Sequence, residues 1–193
     1  MMIRNKVDRK IKRILLPILR EYGFISMNCR NYYALHKECI WVLNLDHVGN
    51  YISDLSGWSA QSLNAMVGIY FNFIPPIWNE NNRREKFPTY DECQLQMELC
   101  SQKWQKDNTW WFCSDGKNME EIMDDIKNTF LLTGVPWLER YSNIEHAFKK
   151  IEGEVNSYHK FYKAKCFAKH LKQWDKYEKY DRLFRNEAIK FGE

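Results

Sequence analysis

Three extended segments follow one another between residues 24 and 47, with only a few residues between each pair. They cover residues 24–27, 32–36 and 39–47, and the third gives the strongest strand pattern. A parallel connection between strands needs a crossover of a dozen or more residues. Links this short therefore predict antiparallel pairing, and the sequence predicts a meander sheet.

Three further strands are predicted over residues 63–74, 93–100 and 110–113. The first of them ends at two consecutive prolines, because proline cannot donate a ladder hydrogen bond. In the second, apolar and polar residues alternate, which is typical of a half-buried strand. The polar stretches 48–62 and 79–92 are predicted as loops, and the composition of 79–92 indicates a mobile surface segment.

Helical periodicity marks both ends of the chain. An amphipathic helix is predicted over 4–22, with a kink or division at Pro17 and an end at Gly23. Four more helices are predicted, over about 118–133, 142–151, 155–173 and 175–191. The sequence Gly134-Val135-Pro136 is expected to stop the first of these four. Capping pairs are predicted at three helix starts, Asn118 with Glu121, Ser142 with Glu145, and Asp175 with Glu178.

This order of elements predicts an α+β fold. It consists of an N-terminal helix, an antiparallel meander sheet of about five or six strands covered on one face by helices, and a C-terminal helical region. We expect a sheet domain over residues 1–140 and C-terminal helices over 141–193. The helices are predicted to pack on or beside the sheet, so that the chain forms a single compact unit.

Composition limits the environment and the partners. The net charge of +4 is too small to indicate a nucleic-acid partner by itself. No secretory signal precedes the first helix, and no apolar run approaches the ~20 residues that span a membrane. The six cysteines are then expected to be reduced and mostly buried. We therefore predict a cytoplasmic protein with no membrane partner.

Asp46 and His47 form the one adjacent pair that suggests catalysis. Neighbours on a strand point to opposite faces, so these two side chains cannot form a directly hydrogen-bonded dyad with each other. Each would need a distant partner, and no nucleophile motif supplies one. We interpret the pair as the polar end of a strand, which meets solvent or caps a turn.

Metal and cofactor motifs are missing from the sequence. It contains no Cys-x-x-Cys pair, no zinc spacing among its histidines and no glycine-rich phosphate loop. Asp91, Glu92 and Glu98 suggest a metal-dependent nuclease, but the expected lysine does not follow them, and a solvated sheet face explains them better. We predict no catalytic residue, no metal ligand and no cofactor.

A lysine-rich helix gives an alternative. Five lysines and no acid occur between residues 158 and 172, interleaved with aromatic residues that are able to stack on bases. The aromatic residues mostly share the apolar helical stripe, however, and acids return in the next helix. A solvated helix face is the favoured interpretation, and nucleic-acid binding is the alternative.

Tryptophans are concentrated near the last strand. Trp110 and Trp111 are neighbours on it, so one ring belongs to each sheet face, and an exposed ring would mark a binding surface. Together with polar residues on the sheet face away from the helices, they define a candidate binding surface. Its members are Asn44, Asp46, Gln96, Glu98, Trp110 and Trp111.

Several short motifs, in their order along the chain, give a family resemblance. They are YGF at 22–24, WVLNL at 41–45, MVGIY at 66–70, CQLQMEL at 93–99, WW at 110–111 and VPWLERYS at 135–142. Over residues 5–150 the chain resembles the bacterial domain family DUF4304, whose function is unknown. In this chain Asp46 and His47 follow the NL motif, where the family is expected to have a Gln-Lys or Gln-Ser-like ending. The resemblance implies a soluble bacterial α+β protein, of a kind with the small partner-binding proteins of bacterial conflict and immunity systems.

Three functions remain open at this point. We favour a non-enzymatic protein-binding module, immunity-like in character, that uses the open sheet face or the tryptophan-rich end, although its protein partner is unknown. The alternative is a nucleic-acid-binding protein that uses the basic helix 158–172. The second alternative is an enzyme or small-ligand binder of unrecognised class.

Overall fold

The fold combines one antiparallel sheet with helices from both ends of the chain. The computed structural model describes residues 2–26, 30–77, 87–101, 103 and 108–190. Within these residues, a six-stranded antiparallel sheet follows an N-terminal helix, and a helical region follows the sheet. This confirms the predicted α+β class.

The strands follow the predicted meander. They are β1 (Ile25–Ser26), β2 (Asn31–Leu35), β3 (Cys39–His47), β4 (Leu63–Phe71), β5 (Leu95–Glu98) and β6 (Thr109–Trp110). The first five pair in sequence order, and β6 pairs with β4 beyond the end of β5. The bounds of β3 are as predicted, whereas β4 ends three residues earlier than residue 74. Met27, which the first predicted strand includes, lies outside the described residues.

The helices begin at residue 2 and end at residue 190. They are α1 (Met2–Lys10), α2 (Leu16–Glu21), α3 (Gly49–Ser56), α4 (Met119–Thr129), α5 (Val135–Ser142), α6 (Ile144–Glu152), α7 (Tyr158–His170) and α8 (Trp174–Lys190). A π turn joins α1 to α2 over Ile11–Leu15, and another joins α4 to α5 over Phe130–Gly134. Each π turn lies directly before a proline-containing helix start.

Proline position explains both π turns. Pro17 and Pro136 each lack the N–H that would bond to the carbonyl four residues earlier, and a wider turn accommodates the ring there. The kink or division predicted at Pro17 corresponds to the first π turn, through which the helix continues to Glu21. The prediction that residues 134–136 stop the helix is wrong, because the π turn lets the helix continue to Ser142.

Helix α3 contradicts another prediction. Residues 48–62 were expected to form a polar loop, but Gly49–Ser56 is helical. Gly57 ends this helix in the left-handed region, with φ of +73°, and its N–H donates to the Ser53 carbonyl. Two flanking glycines and a serine-rich composition make this stretch look like a loop in the sequence.

Two predicted caps also differ. Asn118 precedes α4, but its side chain accepts from the Cys113 N–H and donates to the Trp111 carbonyl instead of capping the helix. Before α6 the cap is Asn143, whose Oδ1 accepts from the His146 N–H. Ser142 instead accepts a hydrogen bond from the Trp41 indole at 2.5 Å. The helix predicted from residue 175 begins at Trp174.

The helix-covered face of the sheet carries the main core. Leu43, Val67 and Ile69 on this face belong to one buried cluster, which extends from Val7 in α1 to Tyr180 in α8. The expected boundary at residues 140–141 lies inside α5, and residues on both sides of it share this cluster. The C-terminal helices therefore pack on the sheet through a common core.

The second face of the sheet is partly covered by the chain that leads into β5. Phe87 stacks on Tyr33 with ring centroids 4.7 Å apart, and both are buried together with Val42. Phe87, within the predicted loop 79–92, thus lies packed on the sheet together with Cys93 just after the loop, which corrects the prediction of a surface position for this residue. Residues 78–86 lie outside the described residues.

Gly68 makes that packing possible. A Cβ atom on Gly68 would lie 2.7 Å from the Cys93 Sγ and 2.8 Å from its Cβ. Both distances are shorter than a non-bonded contact permits, so only glycine allows the covering segment to approach β4 this closely. The second layer of packing depends on this residue.

We predict that Gly68→Ala lowers the free energy of unfolding by about 1–3 kcal/mol, because the new methyl group overpacks the contact with Cys93. Urea unfolding of the full chain measures this. Gly153→Ala is the matched control, because its nearest neighbours would lie at 3.4 and 3.8 Å and its φ is −81°. Equal urea midpoints for Gly68→Ala and the unsubstituted chain would contradict the close approach.

Candidate functional site

The predicted polar residues do share the sheet face away from the main core. Asn44 pairs with Met66 in β4, and Met66 pairs with Glu98 in β5. Gln96 lies opposite Gly68, and Asp46 lies opposite Asn64. The register therefore brings Asn44, Asp46, Gln96 and Glu98 to one face. Gln96 lies beside Gly68, where the covering segment packs, and the other three lie toward the uncovered end.

Each of these polar groups has a local partner. The Asn44 amide donates to Asn31 Oδ1 at 2.7 Å, and Gln96 donates to the Tyr90 carbonyl at 2.9 Å. Glu98 accepts from the Asn108 amide, and Asp46 Oδ1 accepts from the neighbouring His47 N–H. The face is a row of short cross-strand and loop contacts, and these four side chains do not converge on a common point.

Asp46 and His47 are arranged as strand alternation predicts. His47 lies opposite Leu63, and its Nδ1 is 3.0 Å from the Gln61 carbonyl oxygen, which assigns the ring proton to Nδ1. The His47 Nε2 is buried without a hydrogen-bond partner. Burial lowers the pKa of His47, so the neutral ring holds the start of the β3–β4 connection.

Trp110 belongs to the core and not to a surface. It is 1% exposed, and its Nε1 donates to Asp125 Oδ2 at 2.8 Å. Ser101 donates to the same oxygen at 2.5 Å, so the buried Asp125 carboxyl group anchors both segments to α4. The inclusion of Trp110 in the candidate binding surface is therefore wrong, because the register with Leu63 turns its ring toward the helices.

Trp111 has the opposite surroundings. It is half-buried, and its ring lies 6.4 Å from that of Trp58, which follows α3. Trp58 is 40% exposed. The tryptophan-rich end of the sheet therefore continues into α3, a helix that the sequence analysis missed.

Helix α3 presents an apolar stripe to solvent. Tyr51 is 74% exposed and Leu55 is 70% exposed. Tyr51 and Leu55 stand at positions i and i+4, so they share one side of the helix, and Trp58 follows just beyond its end at Gly57. Among the helices of the described residues, α3 alone buries no side chain.

Hydrogen bonds hold this helix at the end of the sheet. The Val48 N–H donates to the Ser62 carbonyl and the Gly49 N–H to the Ala60 carbonyl. The Ser53 hydroxyl donates to the Trp58 carbonyl at 2.5 Å. The stripe is thus fixed in position by its base, and its apolar side chains are left outside the core.

The lysines of α7 are largely occupied within the protein. Lys160 is 6% exposed and donates to the Glu154 carbonyl at 2.6 Å. Lys163 pairs with the Glu154 carboxylate at 2.7 Å, and Lys165 pairs with Asp181 in α8 at 3.1 Å. Only the end of the proposed basic face, with Lys169 and Lys172, stays exposed.

A cleft of about 480 Å³ lies between α7 and the segment that leads into β5. Gln96 is the one residue of the candidate surface among its described lining residues. Lys163 in its wall already donates to the Gln94 carbonyl and to Glu154, and Tyr162 donates to the Pro75 carbonyl. The polar groups of this cleft mainly connect its walls.

The described residues hold neither a metal-ligand cluster nor a membrane-spanning helix. No group of three or more His, Cys, Asp or Glu side chains is arranged there to hold a metal ion. None of the described helices has the length and apolar character needed to cross a bilayer. Of the cysteines within this part, Cys39 and Cys93 are buried, and Cys100 is exposed.

Comparison with known proteins yields no relative. No protein-family model, curated protein or solved structure matches the chain. The resemblance to DUF4304 stays a prediction. A function for this chain can therefore be inferred only from its own geometry.

We predict that Trp110→Phe lowers the free energy of unfolding by about 1–3 kcal/mol, because the buried Asp125 carboxyl group loses one of its donors. Thermal or urea unfolding measures this. Trp111→Phe is the control and should have a smaller effect, since its ring is only half-buried. An equal loss for both variants would contradict the different environments of the two rings.

We also predict a pH effect from His47. Its folded pKa lies below the ordinary value of 6.5, so below pH 6.5 the unfolded chain binds a proton that the folded chain does not. Unfolding free energy should therefore fall as the pH drops from 7 to 5, and less steeply in His47→Gln. The slope should not vanish, because burial also lowers the pKa of His36.

Urea unfolding at several pH values measures these slopes, with the exposed His159→Gln as control. His159→Gln should keep the slope of the unsubstituted chain. A slope in His47→Gln that equals that of the unsubstituted chain would refute the assignment to His47.

Proposed function

We propose that this chain is a protein-binding module whose recognition element is the apolar stripe of α3. The observation that carries the proposal is the exposure of Tyr51 and Leu55 at i, i+4 spacing on a helix that buries no side chain, with Trp58 exposed just beyond its end. Monomeric soluble proteins rarely leave contiguous apolar area of this kind uncovered without a function for it. Aromatic anchors such as Tyr51 and Trp58 are the residue types most enriched at binding hot spots.

The length of α3 supports coupling to a partner. Eight residues form about 12 Å of helix, which is shorter than the ~12–15 residues at which isolated helices become marginally stable in water. Most helices in proteins gain their stability by packing an apolar face. A partner that buries Tyr51 and Leu55 would supply that packing, at roughly 1.5–3 kcal/mol for each side chain fully buried.

Charge argues for a protein and against a membrane surface. Within α3 the one charged residue is Asp54, and the helix contains no lysine or arginine. Helices that lie on bilayers carry lysine and arginine on their polar face. A negatively charged helix of this size would be repelled by anionic lipids, whereas a groove on a protein accepts it.

Size argues against self-association through the stripe. Two copies of a 12 Å helix meeting back to back would bury much less than the ~1,000 Å² that a stable interface needs. A groove that surrounds the helix buries both flanks of each anchor and uses the i, i+4 spacing of Tyr51 and Leu55 directly. The proposed partner therefore presents an apolar groove, with its hot spots opposite Tyr51, Leu55 and Trp58.

The nucleic-acid alternative has less support. Three of the five lysines between residues 158 and 172 hydrogen-bond to or pair with groups of this chain, so they are not directed at phosphates. The small-ligand alternative has the cleft beside α7, but its lysine and tyrosine already connect the cleft walls. Neither surface combines exposure with large side chains that the protein itself leaves uncovered, as α3 does.

We predict that Leu55→Asp weakens binding to the partner by about 30-fold or more, because losing a hot-spot residue costs about 2 kcal/mol. The partner is first captured with a photo-crosslinking residue at position 55 in the native host. It is then purified, and its Kd is measured against the full chain and its variants. Leu132→Asp is the matched control, because Leu132 is 73% exposed.

The Leu132→Asp variant should bind within about twofold of the unsubstituted chain. Equal affinity of Leu55→Asp and the unsubstituted chain would refute the proposal. So would crosslinking of position 55 mainly to a second copy of this chain, or binding of the chain to phospholipid vesicles that depends on Leu55.

A further inference from the structure

A second feature, separate from α3, is a cationic groove of about 430 Å³ between α1 and the start of α4. Its charged lining residues are Lys6, Arg9, Lys10, Arg13, Lys117 and Glu120. Five cations and one carboxylate therefore line the groove, and Lys117 also pairs with Asp115 at 2.7 Å, which leaves a surplus of three positive charges. The whole chain has a net charge of +4, so most of its net positive charge lies at this groove.

Helix α1 and the π turn after it concentrate these cations. Lys6, Arg9 and Arg13 recur at intervals of three and four residues, so they form one stripe. Val7 and Ile11 are both fully buried in the core and fix the helix in place. The stripe is thus held at the groove by the same packing that holds the N-terminal helix.

Glu120 occupies the centre of this arrangement. Its carboxylate accepts from Lys10 Nζ at 2.6 Å and also from Arg13. The hydrogen bond from Lys10 and the nearby positive charges hold the pKa of Glu120 below its usual range. One carboxylate thus serves as the anionic partner of two of the five cations, and it is 59% exposed to solvent.

We propose that this groove binds the phosphate groups of a small polyphosphate ligand, which take the place of Glu120 as the anionic partner of Lys10 and Arg13. Charge-assisted hydrogen bonds from lysine and arginine are the usual means of holding phosphate in proteins. A diphosphate or triphosphate group carries several negative charges, which match the surplus in the groove.

The dimensions favour a small ligand over a nucleic acid. Residues 6 to 13 span about 10 Å along the helix, which is enough for two or three linked phosphates. None of the described side chains that line the groove is aromatic, so it offers no platform for stacking bases. The groove volume lies within the ~300–1,000 Å³ range of small-molecule sites.

Inorganic triphosphate binding to the full chain, measured by isothermal titration calorimetry at low ionic strength, tests the proposal. Glu120→Gln should bind about fivefold more tightly, because it removes a competing negative charge a few ångströms from the ligand. Arg9→Gln together with Arg13→Gln should weaken binding at least tenfold. A variant that fails to fold cannot mimic the gain expected from Glu120→Gln.

Lys12→Gln and Arg20→Gln are the controls, because both residues are exposed in the same helical segment but do not line the groove. They should bind within about twofold of the unsubstituted chain. Losses in the controls equal to that of the Arg9, Arg13 double variant would overturn the proposal, as would unchanged or weaker binding by Glu120→Gln. Tighter binding of a single-stranded oligonucleotide than of triphosphate, with the same dependence on Arg9 and Arg13, would also overturn it.

Discussion

Strand β4 is the element on which every layer of this molecule depends, because both its edges pair with other strands and both its faces pack against other parts of the chain. One edge pairs with β3 over nine residues, and the other carries β5 and β6 in succession. One face contributes Val67 and Ile69 to the main core, while Gly68 on the other admits Cys93. Because a strand so enclosed has no free edge and little free face, a partner can reach exposed apolar side chains only on other elements, among them α3.

The second face of the sheet is less suited to a partner than α3 is. The polar residues of the second face, such as Asn44 and Glu98, are already hydrogen-bonded to near neighbours, and Phe87 covers the apolar part of the same face. Helix α3 differs in kind, because hydrogen bonds at its base position it and no packing covers it. The α1 groove is separate and uses charge, so an apolar partner and a phosphate ligand need not compete.

The sequence predicted the elements that follow local rules. Strand β3 was located to the residue, because its alternation and its length are both strong. Helix α3 was missed, because eight residues that begin at one glycine and end before another give too short a periodic pattern, although Tyr51 and Leu55 have helical spacing. The burial of Trp110 depends on which residue of β4 it faces, and the pairing of Lys165 depends on Asp181 in another helix. Such long-range partners are not encoded in local spacing.

Hydrogen exchange of the backbone amides in α3 tests the central claim most directly, because protection reports local packing and not only the presence of a helix. In the free chain, residues 51–56 should exchange much faster than the amides of β4, and binding of the partner should slow them selectively while α7 stays unchanged. Amides in α3 that are protected as strongly as those of β4 in the free chain, or that do not change in the complex, would contradict the account.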